Sequence, residues 1–138
     1  LAKAYRSGDQ TGIVSGTTTS IQFNAESYDP GANFDSATNY RFTSSLGGYY
    51  AVNVQVVIQA IAANARSIIS LYRNGDEISV SEDRAVTTED HWTKLSDVVQ
   101  ITSGSYLDVA FTHTHGANRD ILGGEKYTYF SVNFVAGL

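Results

Sequence analysis

The chain is 138 residues long, carries a net charge of −5 and contains no cysteine. This length corresponds to a single domain spanning residues 1–138. An acidic surface argues against nucleic-acid binding, which needs clustered lysine and arginine. The absence of cysteine excludes disulfides and cysteine-based metal or thiol sites. No apolar run approaches 18 residues, so insertion into a membrane is not expected, and the missing initial Met indicates a fragment of a longer chain.

The first part of the chain predicts short strands separated by turns. Ala4–Arg6 and Thr11–Val14 have weak strand patterns, and Ile21–Phe23 and Tyr40–Phe42 have stronger ones. The segment Tyr28–Gly31 reads Tyr-Asp-Pro-Gly and predicts a turn, in which the Asp side chain hydrogen-bonds the nearby backbone.

A long strand follows, with one buried face. From Tyr50 to Ala62 the even positions are apolar or aromatic, and several odd positions are polar, which is the two-residue period of a half-buried strand. Asn74-Gly75 then separates two alternating runs and predicts a type I′ hairpin. Ile78 and Val80 of the second run are expected to face the core.

The last part of the chain predicts three strands and two long loops. Ser81–Asp90 is acidic and His115–Lys126 is glycine-rich, so both are expected to be loops. Strands are expected over Lys94–Thr102, around Leu107–Phe111 and over Thr128–Phe134. In total the pattern indicates eight to ten short strands and no helix, which is typical of an all-β sandwich or jelly roll.

One segment of the chain has a pattern with family character. It carries aromatic residues, one acid and one glycine at fixed offsets: Phe23, Asp29, Phe34, Phe42, Gly48, Tyr50, Val52 and Val54. This spacing resembles the signature of the C1q head-domain family, a branch of the C1q/TNF-like jelly rolls. The resemblance implies an antiparallel ten-strand jelly-roll sandwich that assembles as a homotrimer on a stalk or fibre. With no cysteine, a bacterial or phage relative fits better than an animal complement protein.

Three tyrosines are candidates for the trimer interface that the resemblance implies. Tyr127 and Tyr129 are expected to point outward on one side of the last strand, and Tyr49 can join them. Tyrosine buries a large apolar area while its hydroxyl stays hydrated, which suits a subunit contact.

Two segments, 81–92 and 113–126, are the candidate ligand loops. Their candidate ligand-binding residues are His91, Trp92, His113, His115, Arg119 and Asp120. A buried Trp92 at a strand start is the alternative to an exposed one that contacts a sugar or a protein. His113 and His115 have the spacing of two metal ligands on one strand face, and an acidic loop is compatible with calcium. No cofactor is required.

The sequence therefore predicts a non-catalytic trimeric recognition or adhesion head that binds a cell-surface protein or glycan. An extracellular, cell-surface or virion location follows from the same resemblance. No nucleophile motif, phosphate loop or dinucleotide fingerprint is present. One alternative is a carbohydrate-binding module of a larger enzyme, and another is a small metal-dependent enzyme that uses His113 and His115.

Overall fold

The computed structural model describes all residues, Leu1–Leu138, and they form an antiparallel all-β sandwich. This confirms the predicted fold class, although the strands are more fragmented than expected. The strands are β1 (Ala2–Tyr5), β2 (Gln10–Ile13), β3 (Thr19–Ser20), β4 (Ala25–Tyr28), β5 (Phe34–Asp35), β6 (Arg41–Thr43), β7 (Gly48–Ile61), β8 (Arg66–Arg73), β9 (Asp76–Arg84), β10 (Glu89–Ile101), β11 (Tyr106–His113), β12 (Arg119–Ile121) and β13 (Tyr129–Gly137).

The strands form two sheets. Sheet I has the order β2-β12-β7-β13-β1-β4, and β10 pairs with the other edge of β7. Sheet II has the order β5-β6-β11-β8-β9, and β3 also pairs with β11. Since β7 pairs with both β10 and β13, the longest strand lies in the middle of sheet I.

The aromatic residues of the Phe23–Val54 pattern lie in the core between the sheets. Phe23 and Phe34 pack on Phe130, with ring centroids 5.6 Å and 5.9 Å apart. Phe42 packs on Tyr50 at 5.8 Å. All of these rings are buried in one cluster of 26 residues. The pattern therefore encodes the core, and its aromatic side chains are not available to a ligand.

The acid and the glycine of the same pattern have local structural roles. Asp29 accepts hydrogen bonds from the backbone N–H groups of Asn33 and Phe34 at 2.9 Å and 2.8 Å, which confirms that it caps the turn. Gly48 lies where β7 meets the end of β13. A Cβ atom there would lie 2.5 Å from the carbonyl oxygen of Ala136, so only glycine fits without a shift.

The predicted alternation of β7 holds as far as Ile58 and then changes phase. Ala60 is exposed and has a φ of 48°, and Ile61 is buried in its place. The pairing with β10 shifts register at the same point. The Asp90 carboxylate accepts a hydrogen bond from the Ala60 N–H at 2.9 Å, which satisfies the backbone group that the shift frees.

The Asn74-Gly75 hairpin is confirmed. The two residues have φ values of 51° and 87°, as a type I′ turn requires. Its second strand, however, does not bury both predicted residues. Ile78 packs against the core, but Val80 is 51% exposed, because a register shift between β8 and β9 turns its side chain outward.

Two other predicted strand positions differ from the structure. Ile21 and Phe23 are fully buried but not in a strand, although the Ile21 N–H donates to the Val109 carbonyl at 3.0 Å. The nearest strands are β3, which ends just before Ile21, and β4, which begins after Phe23. At the other end of the chain, Phe134 is 43% exposed instead of buried, because the pairing of β13 with β7 shifts just beyond it.

Both predicted loops contain strands. The acidic segment Ser81–Asp90 is the end of β9 and the start of β10, with only four connecting residues. The glycine-rich segment His115–Lys126 contains β12, which pairs with β2 and β7. The alternation in β9 and β10 is hidden because both lie at sheet edges, where solvent reaches both faces, and β12, with three residues, is too short to show one.

Candidate functional site

The residues predicted to bind a ligand are dispersed over one end of the sandwich. Trp92 lies on β10 and points outward from sheet I, with 46% of its surface exposed. The alternative of a buried tryptophan is wrong, because the odd positions of β10 take the core face. His91 lies next to it, with Nε2 3.2 Å from the Asp83 carboxylate but without the geometry of a hydrogen bond.

His113 is a structural residue. It is fully buried, its Nδ1 accepts the backbone N–H of His115 at 3.2 Å, and its Nε2 lies 2.8 Å from the carbonyl oxygen of Ile13. A ring nitrogen that accepts from N–H is unprotonated, so Nε2 carries the proton and donates to Ile13. Neither nitrogen is left for a metal or a ligand, so the predicted two-histidine metal pair is wrong.

His115 joins the two sheets at this end. Its Nδ1 accepts the backbone N–H of Ala62 at 2.9 Å, just after β7. Desolvation, followed by the charges of Arg119 and His113, lowers the pKa of the His115 imidazole. The residue is therefore held neutral, as its acceptor role requires.

Arg119 and Asp120 fix local backbone. Arg119 donates to the carbonyl oxygens of Ala60 and Asn118 at 3.1 Å and 3.2 Å. Asp120 accepts the N–H of Gly12 at 2.9 Å. The six predicted residues thus divide into two exposed or half-buried ones on β10 and four that hold the sandwich end together.

The acidic residues of β9 and β10 do not converge. Glu82 pairs with Arg66 on sheet II, and Asp90 binds the Ala60 N–H at the edge of sheet I. No three histidine, aspartate or glutamate side chains in the chain are arranged to hold a metal ion.

The outer face of sheet I is a second candidate site. We define it as the outward residues of four adjacent strands, Lys3 and Tyr5 of β1, Tyr129, Ser131 and Asn133 of β13, Tyr49, Ala51, Asn53, Gln55 and Val57 of β7, and Trp92, Lys94, Ser96, Val98 and Gln100 of β10. Only two of these side chains are charged. The rest are polar, small, aliphatic or aromatic.

This face carries large exposed apolar side chains. Val98 is 59% exposed and Tyr49 is 40% exposed. Ala51 of β7 lies opposite Val98 of β10 on one side and opposite Asn133 of β13 on the other. Asn133 Oδ1 is buried and has no hydrogen-bond partner in the chain. Exposed apolar area and an unsatisfied acceptor on one face are both typical of a surface that is covered by another molecule.

The three predicted interface tyrosines all belong to this side of the molecule. Tyr49 and Tyr129 lie on the outer face, six residues apart along β7, or about 20 Å. Tyr127 lies just before β13, in the loop that covers Val57. Val98 and Asn133 are not among the predicted site residues. The signal for Val98 is an apolar residue in the polar phase of β10, whereas the missing hydrogen-bond partner of Asn133 depends on its neighbours in space.

The outer face of sheet II has a different chemistry. Its outward charged residues on β8, β9 and β11 are Arg66, Glu77, Glu82, Arg84 and Asp108. Arg66 and Glu82 form a two-point ion pair. The guanidinium of Arg41 lies 4.1 Å from the centroid of the Tyr106 ring. This outer face is therefore dominated by charged side chains, which surround an exposed Val80.

No family model and no curated protein sequence matches the chain. Solved structures do match. Eiger TNF from S. frugiperda is 13% identical with a TM-score of 0.75 and covers 99% of this chain and 92% of its own. The globular domain of zebrafish complement 1qA is 12% identical with a TM-score of 0.71, covering 99% and 98%. Murine APRIL is 10% identical with a TM-score of 0.69, covering 97% and 98%.

At these identities the likeness concerns the fold. It extends over nearly the full length of both chains in each comparison, and it agrees with the fold that the Phe23–Val54 pattern predicted. The structure also contains no helix long and apolar enough to cross a membrane. The chain therefore has the C1q/TNF-like jelly-roll fold.

Proposed function

We propose that this chain is a non-catalytic recognition head that assembles as a homotrimer through the outer face of sheet I. The observation that supports it is the contrast between the two outer faces. Sheet I presents exposed Val98 and Tyr49, an unpaired Asn133 Oδ1 and only two charged side chains, whereas sheet II presents five charged side chains around an exposed Val80. Interfaces are depleted in charge at their centre and enriched in tyrosine, which is the composition of the sheet I face.

The proposed contact is centred on Tyr49 and Val98. Tyr127 and Tyr129 lie at its margin, since the ammonium groups of Lys126 and Lys3 lie over their rings.

The fold likeness to TNF- and C1q-type heads supports the recognition role. Three linked copies add avidity to a modest affinity per site. Display outside the cell, on a surface or at the tip of a fibre, belongs to the same proposal. The head requires no cofactor in this account. Calcium would count as a ligand only if its addition raised the melting temperature and a chelator reversed the rise.

Sedimentation equilibrium tests the assembly. A chain of 14.9 kDa is expected to sediment at three times that mass at micromolar concentration. A species that stays monomeric to about 100 μM, well above the Kd of a stable interface, would overturn the trimer.

A carbohydrate-binding module is the second candidate, and the exposure of Trp92 favours it. An exposed indole beside polar groups can stack on a sugar ring. This candidate predicts a monomer whose glycan binding is lost in Trp92→Ala. Glycan binding that survives the substitution would show that Trp92 does not bind the glycan.

A further inference from the structure

The largest cleft of the molecule opens where β1 meets the loop between β12 and β13. It has a volume of about 450 Å³ and is lined by Lys3, Gly124, Glu125, Lys126 and Tyr127. This volume lies within the range of small-molecule sites. β1 is three strand spacings, about 14 Å, from β10. The cleft therefore lies at the β1 margin of the sheet I face, away from Val98 at the centre of the proposed contact.

Two ammonium groups of the cleft have no acidic partner. Lys3 Nζ lies 4.6 Å from the centroid of the Tyr129 ring, and Lys126 Nζ lies 5.0 Å from that of Tyr127. The arginine–carboxylate ion pair of the chain is elsewhere, between Arg66 and Glu82, and the Asp83 carboxylate lies beside His91. In a chain of net charge −5, two of the three lysines thus lie at one cleft without a carboxylate within 4 Å.

The backbone adds two donors. The N–H groups of Glu125 and Lys126 have no acceptor within the protein, whereas their neighbours Gly124 and Tyr127 donate to Arg6 and Gly124 carbonyls. Consecutive free N–H groups in a turn, next to ammonium groups, are suited to an anion.

The loop that carries these groups is fixed in place. The buried side-chain amide of Gln55 donates to the carbonyl oxygens of Lys126 and Tyr127 at 3.1 Å and 2.8 Å. Thr128 Oγ1 donates to the Leu122 carbonyl at 2.7 Å and closes the loop from the other side. A site that is already ordered loses little conformational entropy when a ligand binds.

Glu125 narrows the class of ligand. One of its carboxylate oxygens accepts from Ser27 Oγ at 2.8 Å. The other has no donor within the chain, so it can accept a hydroxyl hydrogen from a ligand. A simple inorganic anion would be repelled by this carboxylate, whereas a molecule with both hydroxyl groups and an anionic group satisfies the acid and the lysines together.

We propose that this cleft binds an acidic sugar, a ring that carries a carboxylate or a sulfate group. The anionic group contacts the ammonium groups of Lys3 and Lys126 and the free backbone N–H groups, and a ring hydroxyl donates to Glu125. This assignment rests on the proposed recognition function and names a ligand class for it.

Isothermal titration calorimetry of the full chain tests the assignment with a galacturonate trisaccharide, a sulfated but otherwise neutral disaccharide, and maltotriose. We expect one or both acidic sugars to bind and maltotriose to bind at least tenfold more weakly. Lys126→Gln and Lys3→Gln should each weaken the preferred sugar at least fivefold. Lys94→Gln removes the same charge from β10, three strands away from β1 on the same face, and should change the affinity less than twofold.

Any of three results would overturn the assignment. They are equal binding of maltotriose, an equal loss of affinity in all three lysine variants, and no binding of either acidic sugar at millimolar concentration. The mass of the same samples separates it from the assembly. A trimer that binds no acidic sugar removes only the cleft assignment. A monomer that binds one, with loss in Lys126→Gln, removes only the trimer.

Discussion

The two outer faces of the sandwich differ in chemistry. On sheet II, Arg66 and Glu82 form an ion pair, and the Arg66 guanidinium holds the pKa of the Glu82 carboxyl below its usual range. On sheet I, the outer face leaves Val98 exposed and Asn133 Oδ1 without a partner. Charge pairing suits permanent contact with water, whereas exposed apolar area is retained where another molecule covers it. In the proposed assembly the sheet I face is the interface and the sheet II face stays in solvent.

The largest expected effect comes from placing a charge on each face. Val98 on β10 and Val80 on β9 are both valines on edge strands, 59% and 51% exposed. Val98→Glu should abolish self-association, because a buried unpaired carboxylate costs several kcal/mol. Val80→Glu should leave the mass unchanged. Sedimentation equilibrium measures the mass of the two variants, and equal masses would contradict the proposed role of the sheet I face.

A second prediction tests how the sheet I face is held in shape. A Cβ at Gly48 would lie 2.5 Å from the Ala136 carbonyl, whereas one at Gly47 would lie 3.0 Å from a flexible Leu138 methyl. Gly48→Ala should lower the free energy of unfolding by about 1–3 kcal/mol, as overpacking does. Gly47→Ala is the control and should cost much less. Denaturant unfolding measures both, and similar losses would show that the close approach of β7 and β13 is not the cause.

A third prediction concerns the end at which the sheets are joined. The folded pKa of His115 is lowered, so the neutral form is favoured by folding. This contribution to stability is fully present above the unfolded pKa of about 6.5 and is lost as the pH falls through the lower folded value. The protection factor of the Ala62 amide should therefore fall between pH 7 and pH 5.

His115→Asn is the matched variant for that measurement, since an amide oxygen can accept the Ala62 N–H at every pH. Its protection factor should be nearly independent of pH over the same interval. A wild-type protection factor that stays constant would contradict the role given to His115 Nδ1.

The smallest effect is expected on sheet II. Glu82→Gln removes the solvent-accessible ion pair with Arg66, and such surface pairs contribute little and are screened by salt. The melting temperature should change only slightly at low ionic strength, and the change should vanish in high salt. A large, salt-independent loss would mean that the sheet II face is not an ordinary solvated surface.

Much of the fold could be predicted because its signals are local. The two-residue period of β7, the Asn74-Gly75 turn and the Asp29 cap each depend on a few neighbouring residues. The aromatic pattern from Phe23 to Tyr50 was predictable as core for the same reason. What could not be predicted depends on register, such as the phase change at Ala60 and the outward turn of Val80.

The candidate sites were harder to predict because they depend on distant partners. Nothing local distinguishes Val98 from Val80 as an interface residue, since both lie in strand-like runs. Lys3 and Lys126 line one cleft only because β1 pairs with β13. His113 and His115 have the spacing of metal ligands, and only the positions of Ile13 and Ala62 show that their ring nitrogens are occupied.

A crystal structure of the head tests the central claim most directly. The account predicts three copies around a threefold axis, with the outer face of sheet I covered at Tyr49 and Val98, a donor placed near Asn133 Oδ1, and the outer face of sheet II in solvent. An assembly that buries the sheet II face instead, or copies that leave the sheet I face open to solvent, would contradict it.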